Sequence, residues 1–111
     1  MYPDAAQRID LYWRPGCGFC MSLERKVRRH GIEVTKHNIW DDPAAADHVR
    51  SVANGNETVP TVTVAGDSLV NPSFSQMVDL VGATAPHLLP DDYEPPEQSG
   101  IGRAVSRILG G

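Results

Sequence analysis

The chain of 111 residues holds two cysteines, Cys17 and Cys20, separated by Gly18 and Phe19. A Cys-x-x-Cys at the start of a helix puts two thiols within one turn of each other, near enough to close a disulfide, and this points to thiol–disulfide chemistry. The competing reading is half of a zinc site. Zinc generally takes four ligands, and His30, His37, His48 and His87 stand at no finger-like spacing from the cysteines. Redox chemistry therefore outweighs metal binding, and no metal is expected.

With Cys17 as the N-cap of a helix, the amides of Phe19 and Cys20 face its sulfur and the positive end of the helix favours a thiolate there. Arg14, three residues upstream, adds positive charge. A stabilised thiolate gains little as an attacker, because nucleophilicity falls with basicity. It gains more as a leaving group in the second exchange, which favours turnover through a mixed disulfide on Cys17. Cys20, one turn further in on the apolar stripe, is expected to be less exposed, harder to ionise, and to resolve rather than attack.

The elements that must hold this pair can be traced along the chain. Residues 8–13 alternate, with Ile9, Leu11 and Trp13 on one face and Arg8, Asp10 and Tyr12 on the other, a strand period. Asp10 sits awkwardly in this strand, because a central parallel strand buried on both faces is expected to be continuously apolar. Cys20, Leu23 and Val27 recur at helical spacing over residues 17–30, and Gly31 supplies the stop. Residues 33–40 carry Val34, Thr35 and Ile39 and read as a second strand. Asp42-Pro43 is a cap followed by proline, opening a helix that runs to Asn54-Gly55. Residues 61–64 and 68–70, with a turn at Ala65-Gly66-Asp67, read as a hairpin. Asn71-Pro72 repeats the cap-then-proline signal before Phe74, Met77, Val78 and Val81, a third helix ending at Gly82.

The order β-α-β-α-β-β-α gives an α/β fold, a small four-stranded mixed sheet flanked by helices. The first two strands are parallel and the hairpin antiparallel. We divide the chain into an N-terminal extension (1–7), one domain (8–84) and a tail (85–111) rich in proline and acid, whose residues 101–109 have an apolar face suited to a short helix.

Composition narrows the function classes. The net charge is −4, and Asp91, Asp92, Glu94 and Glu97 in the tail account for much of it, so there is no electrostatic footprint for nucleic acid. Arg25, Lys26, Arg28, Arg29 and His30 cluster late on the first helix and read as a solvated helix end that complements the macrodipole. No apolar run has the length of a signal peptide or a membrane span, which reads as cytoplasmic, and in that reducing compartment a cysteine pair is catalytic rather than structural.

Trp13-Arg14-Pro15-Gly16-Cys17-Gly18-Phe19-Cys20, Thr58-Val59-Pro60 and Asn71-Pro72-Ser73, at these separations, resemble the glutaredoxin family, and most closely its actinobacterial mycoredoxin branch. The likeness spans about residues 9–82. It implies a thioredoxin-like fold, a cis Pro60 facing the cysteines, and Val59 backbone groups bonding the incoming thiol. From the residues alone, Thr58-Val59-Pro60 reads equally as a proline opening a strand. In glutathione-using relatives a basic residue precedes the first cysteine and an aromatic lies between the two, which Arg14 and Phe19 match. Asn71-Pro72-Ser73 departs from the Gly-Gly segment and acidic pair that suit glutathione. That departure suits mycothiol, whose far end is a neutral sugar-inositol, with Asn71 and Ser73 as uncharged contacts. A helix cap is an equal reason for Asn71.

The resemblance implies an oxidoreductase that takes mycothiol off protein mixed disulfides, with mycothiol as reducing cosubstrate in preference to glutathione, working as a monomer on mycothiolated or disulfide-bonded proteins. The rival is a dithiol donor cycling both cysteines to reduce a protein such as ribonucleotide reductase or a peroxidase. A third class, iron–sulfur cluster carriage, is suggested by Gly18-Phe19, but two cysteines per chain cannot enclose a cluster without a second chain or free thiols.

Overall fold

In a computed structural model, which describes residues 8–90 and residue 93, strand β1 (Ile9–Trp13) lies at the centre of a four-stranded sheet. Helix α1 (Gly18–Arg29) returns the chain to β2 (Thr35–Asn38), which pairs with β1 in parallel. Helix α2 (Pro43–Val52) leads to β3 (Thr61–Val64), antiparallel to β1 on its other side, and β4 (Asp67–Val70) closes the hairpin. The sheet order is β2-β1-β3-β4, and α3 (Phe74–Thr84) follows, then a single 3-10 turn (Pro86–Leu88). This is the expected element order and mixed sheet.

Each element follows from a local cause. Asp42 caps α2, its carboxylate accepting from the Ala44 and Ala45 amides, with Pro43 in the first turn. The β3–β4 turn has Ala65 at φ 52 and Gly66 at φ 87, the two left-handed residues of the tight turn whose twist matches paired strands. The third helix differs from expectation. Its cap is Ser73, not Asn71: Ser73 Oγ accepts from the Gln76 amide at 3.1 Å while the Gln76 side chain accepts from the Ser73 amide at 2.9 Å. This reciprocal capping box satisfies two end donors at once, so it prevails over a lone Asn-Pro signal. Asn71 sits ahead of it at φ 52, and α3 runs past Gly82 to Thr84.

Asp10 acquires its account from strand register. Buried on β1, its Oδ1 accepts from Arg8 Nε at 2.9 Å and lies 2.8 Å from His37 Nε2 on parallel β2. His37 also stacks on Tyr12, whose other face is covered by His48 of α2, with ring centroids 4.8 Å apart in each case. His48 Nε2 lies 2.9 Å from Thr63 Oγ1. A buried carboxylate is tolerated where partners meet it, and a strand that faces a polar ladder need not be apolar throughout.

The other sheet face is apolar. Ile9, Leu11, Val62 and Val64 pack against Leu23 and Val27 of α1 and Phe74, Met77 and Val81 of α3. The core reaches beyond the expected boundary at residue 84: Ala85 is fully buried, and Leu88, Leu89 and Tyr93 pack on the same cluster. The N-terminal extension, the acidic stretch and the short helix expected over residues 101–109 lie outside the described residues. Among the described residues no helix is long and apolar enough to cross a membrane.

Candidate active site

β1 ends at Trp13, a turn carries Arg14, Pro15 and Gly16, and Cys17 caps α1, so the sheet's end and the helix's positive end meet at one sulfur. The Cys20 amide donates to Cys17 Sγ at 3.2 Å. Of the two amides expected there, this is the one that bonds the sulfur. From the opposite side the Cys17 thiol donates to the Val59 carbonyl at 3.7 Å, across 42 residues of sequence. The Val59–Pro60 peptide is cis, as the family resemblance implied and the residues alone did not. Pro60 is buried, and its carbonyl accepts from the Asn71 amide at 2.7 Å, tying the β3 entry to the α3 entry.

Burial distinguishes the two thiols less than expected. Cys17 keeps 6% of its surface and Cys20 none. Both belong to a second packed cluster with Tyr12, Ile39, Ala45, Ala46, Val49, Ala53 and Val59. Burial, and then the hydrogen bond with Cys17, push the Cys20 thiol up to about 12, while a backbone bond with Arg14 works the other way. Both cysteines are free thiols. The arrangement provides one sulfur reachable at a narrow opening, with donor and acceptor around it, and a second that remains protonated through neutral pH.

The remaining sequence-selected residues fall into three places. Phe19, 72% exposed, lines a groove of about 110 Å³ with Asn71 and Ser73, together with Ser22, Leu23, Lys26, Pro72 and Phe74. Because Ser73 Oγ accepts the cap hydrogen bond, the choice between cap and contact that had been set at Asn71 falls instead on Ser73. Arg14 turns away from the groove: its guanidinium lies 5.7 Å from the Trp40 ring centroid and donates to the Pro15 carbonyl at 3.2 Å. Thr58 lies in the segment leading into β3, its carbonyl accepting from Thr61 Oγ1 at 2.9 Å.

Two residues, Trp40 and Glu24, escaped the sequence reading, and Lys26, read only as part of a solvated helix end, lines the groove; the spacing Phe19, Ser22, Lys26 on one helical stripe could have shown it. Trp40, 63% exposed beside Arg14, sits in a corner fixed by the hydrogen bond its backbone amide donates to Asn38 Oδ1, and no sequence pattern marks it. Glu24, one turn beyond Cys20, pairs with Lys36 of β2 at 3.2 Å, a contact set by the α1–β2 packing. Among the described residues no group of three or more His, Cys, Asp or Glu side chains is placed to hold a metal.

The glutaredoxin family model matches residues 9–69, more than half the chain. Two Mycobacterium tuberculosis proteins, from strains H37Rv and CDC 1551 and provisionally named glutaredoxins, are each 37% identical over 70 residues, covering 62% of this chain and 83% of theirs. Among solved structures, the thioredoxin-like protein BC3987 matches with a TM-score of 0.58 at 18% identity, over 66% of this chain and 99% of that one, a likeness of fold. The glutaredoxin-like NrdH-redoxin from Escherichia coli, described as having a thioredoxin-like activity profile, matches with a TM-score of 0.50 at 28% identity, over 60% and 83%. With its thioredoxin-like fold and paired thiols at the head of α1, the chain belongs to the glutaredoxin family, whose members are thiol–disulfide oxidoreductases.

Proposed function

We propose that the protein reduces mixed disulfides between mycothiol and proteins, with Cys17 attacking the mixed disulfide, carrying the mycothiol, and being released by a second mycothiol. The observation that carries this reading is the contrast at the site. Cys17 has a donor and an acceptor at its sulfur, while Cys20 is fully buried with its thiol pushed up to about 12. Such a Cys20 has no standing thiolate at neutral pH, so its attack on the mixed disulfide must wait on removal of its proton, and an external thiol already ionised can finish the cycle first. Phe19, Val59 and Asn71 would contact the thiol, with Pro60 holding the Val59 segment and Arg14 and Thr58 shaping the approach. The Asn71 side chain is released from capping by Ser73, which favours a contact role. Lys26 brings a positive charge to the groove beside the uncharged Asn71. The M. tuberculosis relatives support the actinobacterial branch.

The second reading, a dithiol donor to proteins, is favoured by the NrdH-redoxin likeness and by two thiols adjacent across one helical turn. Turnover of a mycothiol mixed disulfide by the Cys20→Ser variant, with mycothiol as reductant and glutathione in parallel, separates the two. Retained, mycothiol-selective turnover is the expected result. Loss of turnover with intact wild-type reduction of protein disulfides overturns the monothiol reading, and equal use of glutathione overturns the choice of thiol.

A further inference from the structure

One carboxylate near the thiols is incompletely partnered. Glu24 Oε1 accepts from Lys36 Nζ at 3.2 Å, but Oε2 is buried and, among the described residues, is the one buried side-chain nitrogen or oxygen without a hydrogen-bond partner. The whole side chain is 15% exposed. An ionised carboxylate has acceptor capacity on both oxygens, and an idle buried acceptor is uncommon enough to require a reason.

Its position supplies one. Glu24 follows Cys20 by four residues on α1, so the two side chains are neighbours on one helix face, about 5 to 6 Å apart at Cβ. Helical side chains lean toward the N-terminus, which carries the Glu24 carboxylate back toward the Cys20 turn. The charge of Glu24 is among those felt by the Cys20 thiol. Lys36 Nζ, which holds the carboxylate, also lies 5.6 Å from the centroid of Trp13, a residue packed on the cysteine cluster. Around the carboxylate stand Lys36 from β2 and Arg28 from its own helix, with Val27, Ile32 and Val34 as the apolar lining of the same cleft.

We propose that Glu24 is the proton acceptor for Cys20 when Cys20 resolves a mixed disulfide on Cys17, directly or through one water. The inference concerns the resolving step of the dithiol cycle, the second reading above, and rests on thiol–disulfide exchange at this pair and not on the identity of the low-molecular-weight thiol. In the step, Cys20 sulfur bonds to Cys17 sulfur, the bond from Cys17 to the outer sulfur breaks, and the outer group leaves with the electron pair as a thiolate. The Cys20 proton passes to Glu24 Oε2. The outer disulfide is reduced, the protein pair is oxidised, and no other reactant is required. Without an acceptor, a thiol so reluctant to ionise would have to wait for rare ionisation. With one, proton and sulfur move together.

The test uses an aromatic disulfide whose thiolate is coloured on release. Attack by Cys17 liberates one equivalent, and resolution by Cys20 liberates a second, so stopped-flow absorbance resolves the two steps with no mycothiol present. In Glu24→Gln the second release should slow on the order of 10²-fold at neutral pH and become steeply dependent on hydroxide, the lower end of what general bases contribute. The first release serves as the internal reference for a folded, reactive Cys17. Lys36→Met, which removes the ion pair but keeps the carboxylate, should retain a fast second release. A second release unaltered in Glu24→Gln overturns the proposal. So does a slowing in Lys36→Met equal to that in Glu24→Gln, which would assign the effect to the ion pair.

Discussion

On one face of the sheet Ile9, Leu11, Val62 and Val64 meet Leu, Val, Phe and Met side chains from α1 and α3. On the other, Tyr12 and Val59 meet alanines and Val49 of α2 and both cysteines, and His37 and His48 each stack on Tyr12. The first face is built of large apolar residues, with the Glu24 carboxylate at its edge against Val27, Ile32 and Val34. The second has small residues, two thiols and a hydrogen-bonded ladder that runs from Arg8 through Asp10 to His37, and from His48 to Thr63 and Ser68. The contrast teaches that stability and reactivity are housed apart. A face that must present a reactive sulfur at its rim gives up bulk there, and the fold is held by the opposite face.

The strongest way to break this division is to damage the apolar face. Met77→Ala, at a fully buried position between α3 and the sheet, should cost roughly 2 to 5 kcal/mol of unfolding free energy, while the folded fraction keeps its exchange rate at Cys17. Urea unfolding together with exchange assays below the transition checks both halves. A loss of exchange rate in molecules that remain folded would dissolve the distinction.

A smaller effect tests the reactive face. The folded Cys20 thiol is raised from 9.0 to about 12, and Tyr12 is raised from 10.0 mainly by burial and then by Asp10. Above pH 9 the unfolded chain releases these protons before the folded one does, so the stability they confer is complete below pH 9 and lost as pH climbs toward 12. The urea midpoint should fall across that window, and Cys20→Ala should flatten its early part. A midpoint unchanged across the window would remove the electrostatic difference between the faces.

The smallest effect belongs to the α3 cap. Ser73→Ala should cost about 1 kcal/mol and leave the Michaelis constant for thiol substrates unchanged, since its hydroxyl serves the helix. A raised Michaelis constant with no loss of stability would return Ser73 to the substrate groove.

What was legible in the chain was chiefly local. Asp42-Pro43, the stripe Cys20, Leu23, Val27 and the Val-rich β3 carry their structure in neighbouring residues, and each forms as expected. Cys17 as cap was legible for the same reason. Asn71 misled because two start signals overlap within three residues, and the reciprocal Ser73–Gln76 box satisfies more of the helix end than a single asparagine would. Asp10, Trp40 and the Glu24–Lys36 pair were opaque. Their meaning depends on partners brought by register and packing: His37 is 27 residues from Asp10, and Lys36 is 12 from Glu24. The Val59 carbonyl at Cys17 is longer-range still: the family resemblance set Pro60 facing the cysteines but gave the Val59 backbone to the incoming thiol, not to Cys17.

The clamp from the Asn71 amide to the Pro60 carbonyl closes the hairpin at the cysteine end, just outside the Thr61–Val70 pair. The Ala65–Gly66 turn lies at the other end, beyond the Val64–Asp67 pair and exposed, four strand residues or about 13 Å away. With both legs of the hairpin fastened at the cysteine end, that turn is an attachment point. A fluorophore or an inserted peptide placed at the tip would ride on the fold without touching the thiols, a handle for labelling or tethering the protein that leaves its exchange chemistry intact.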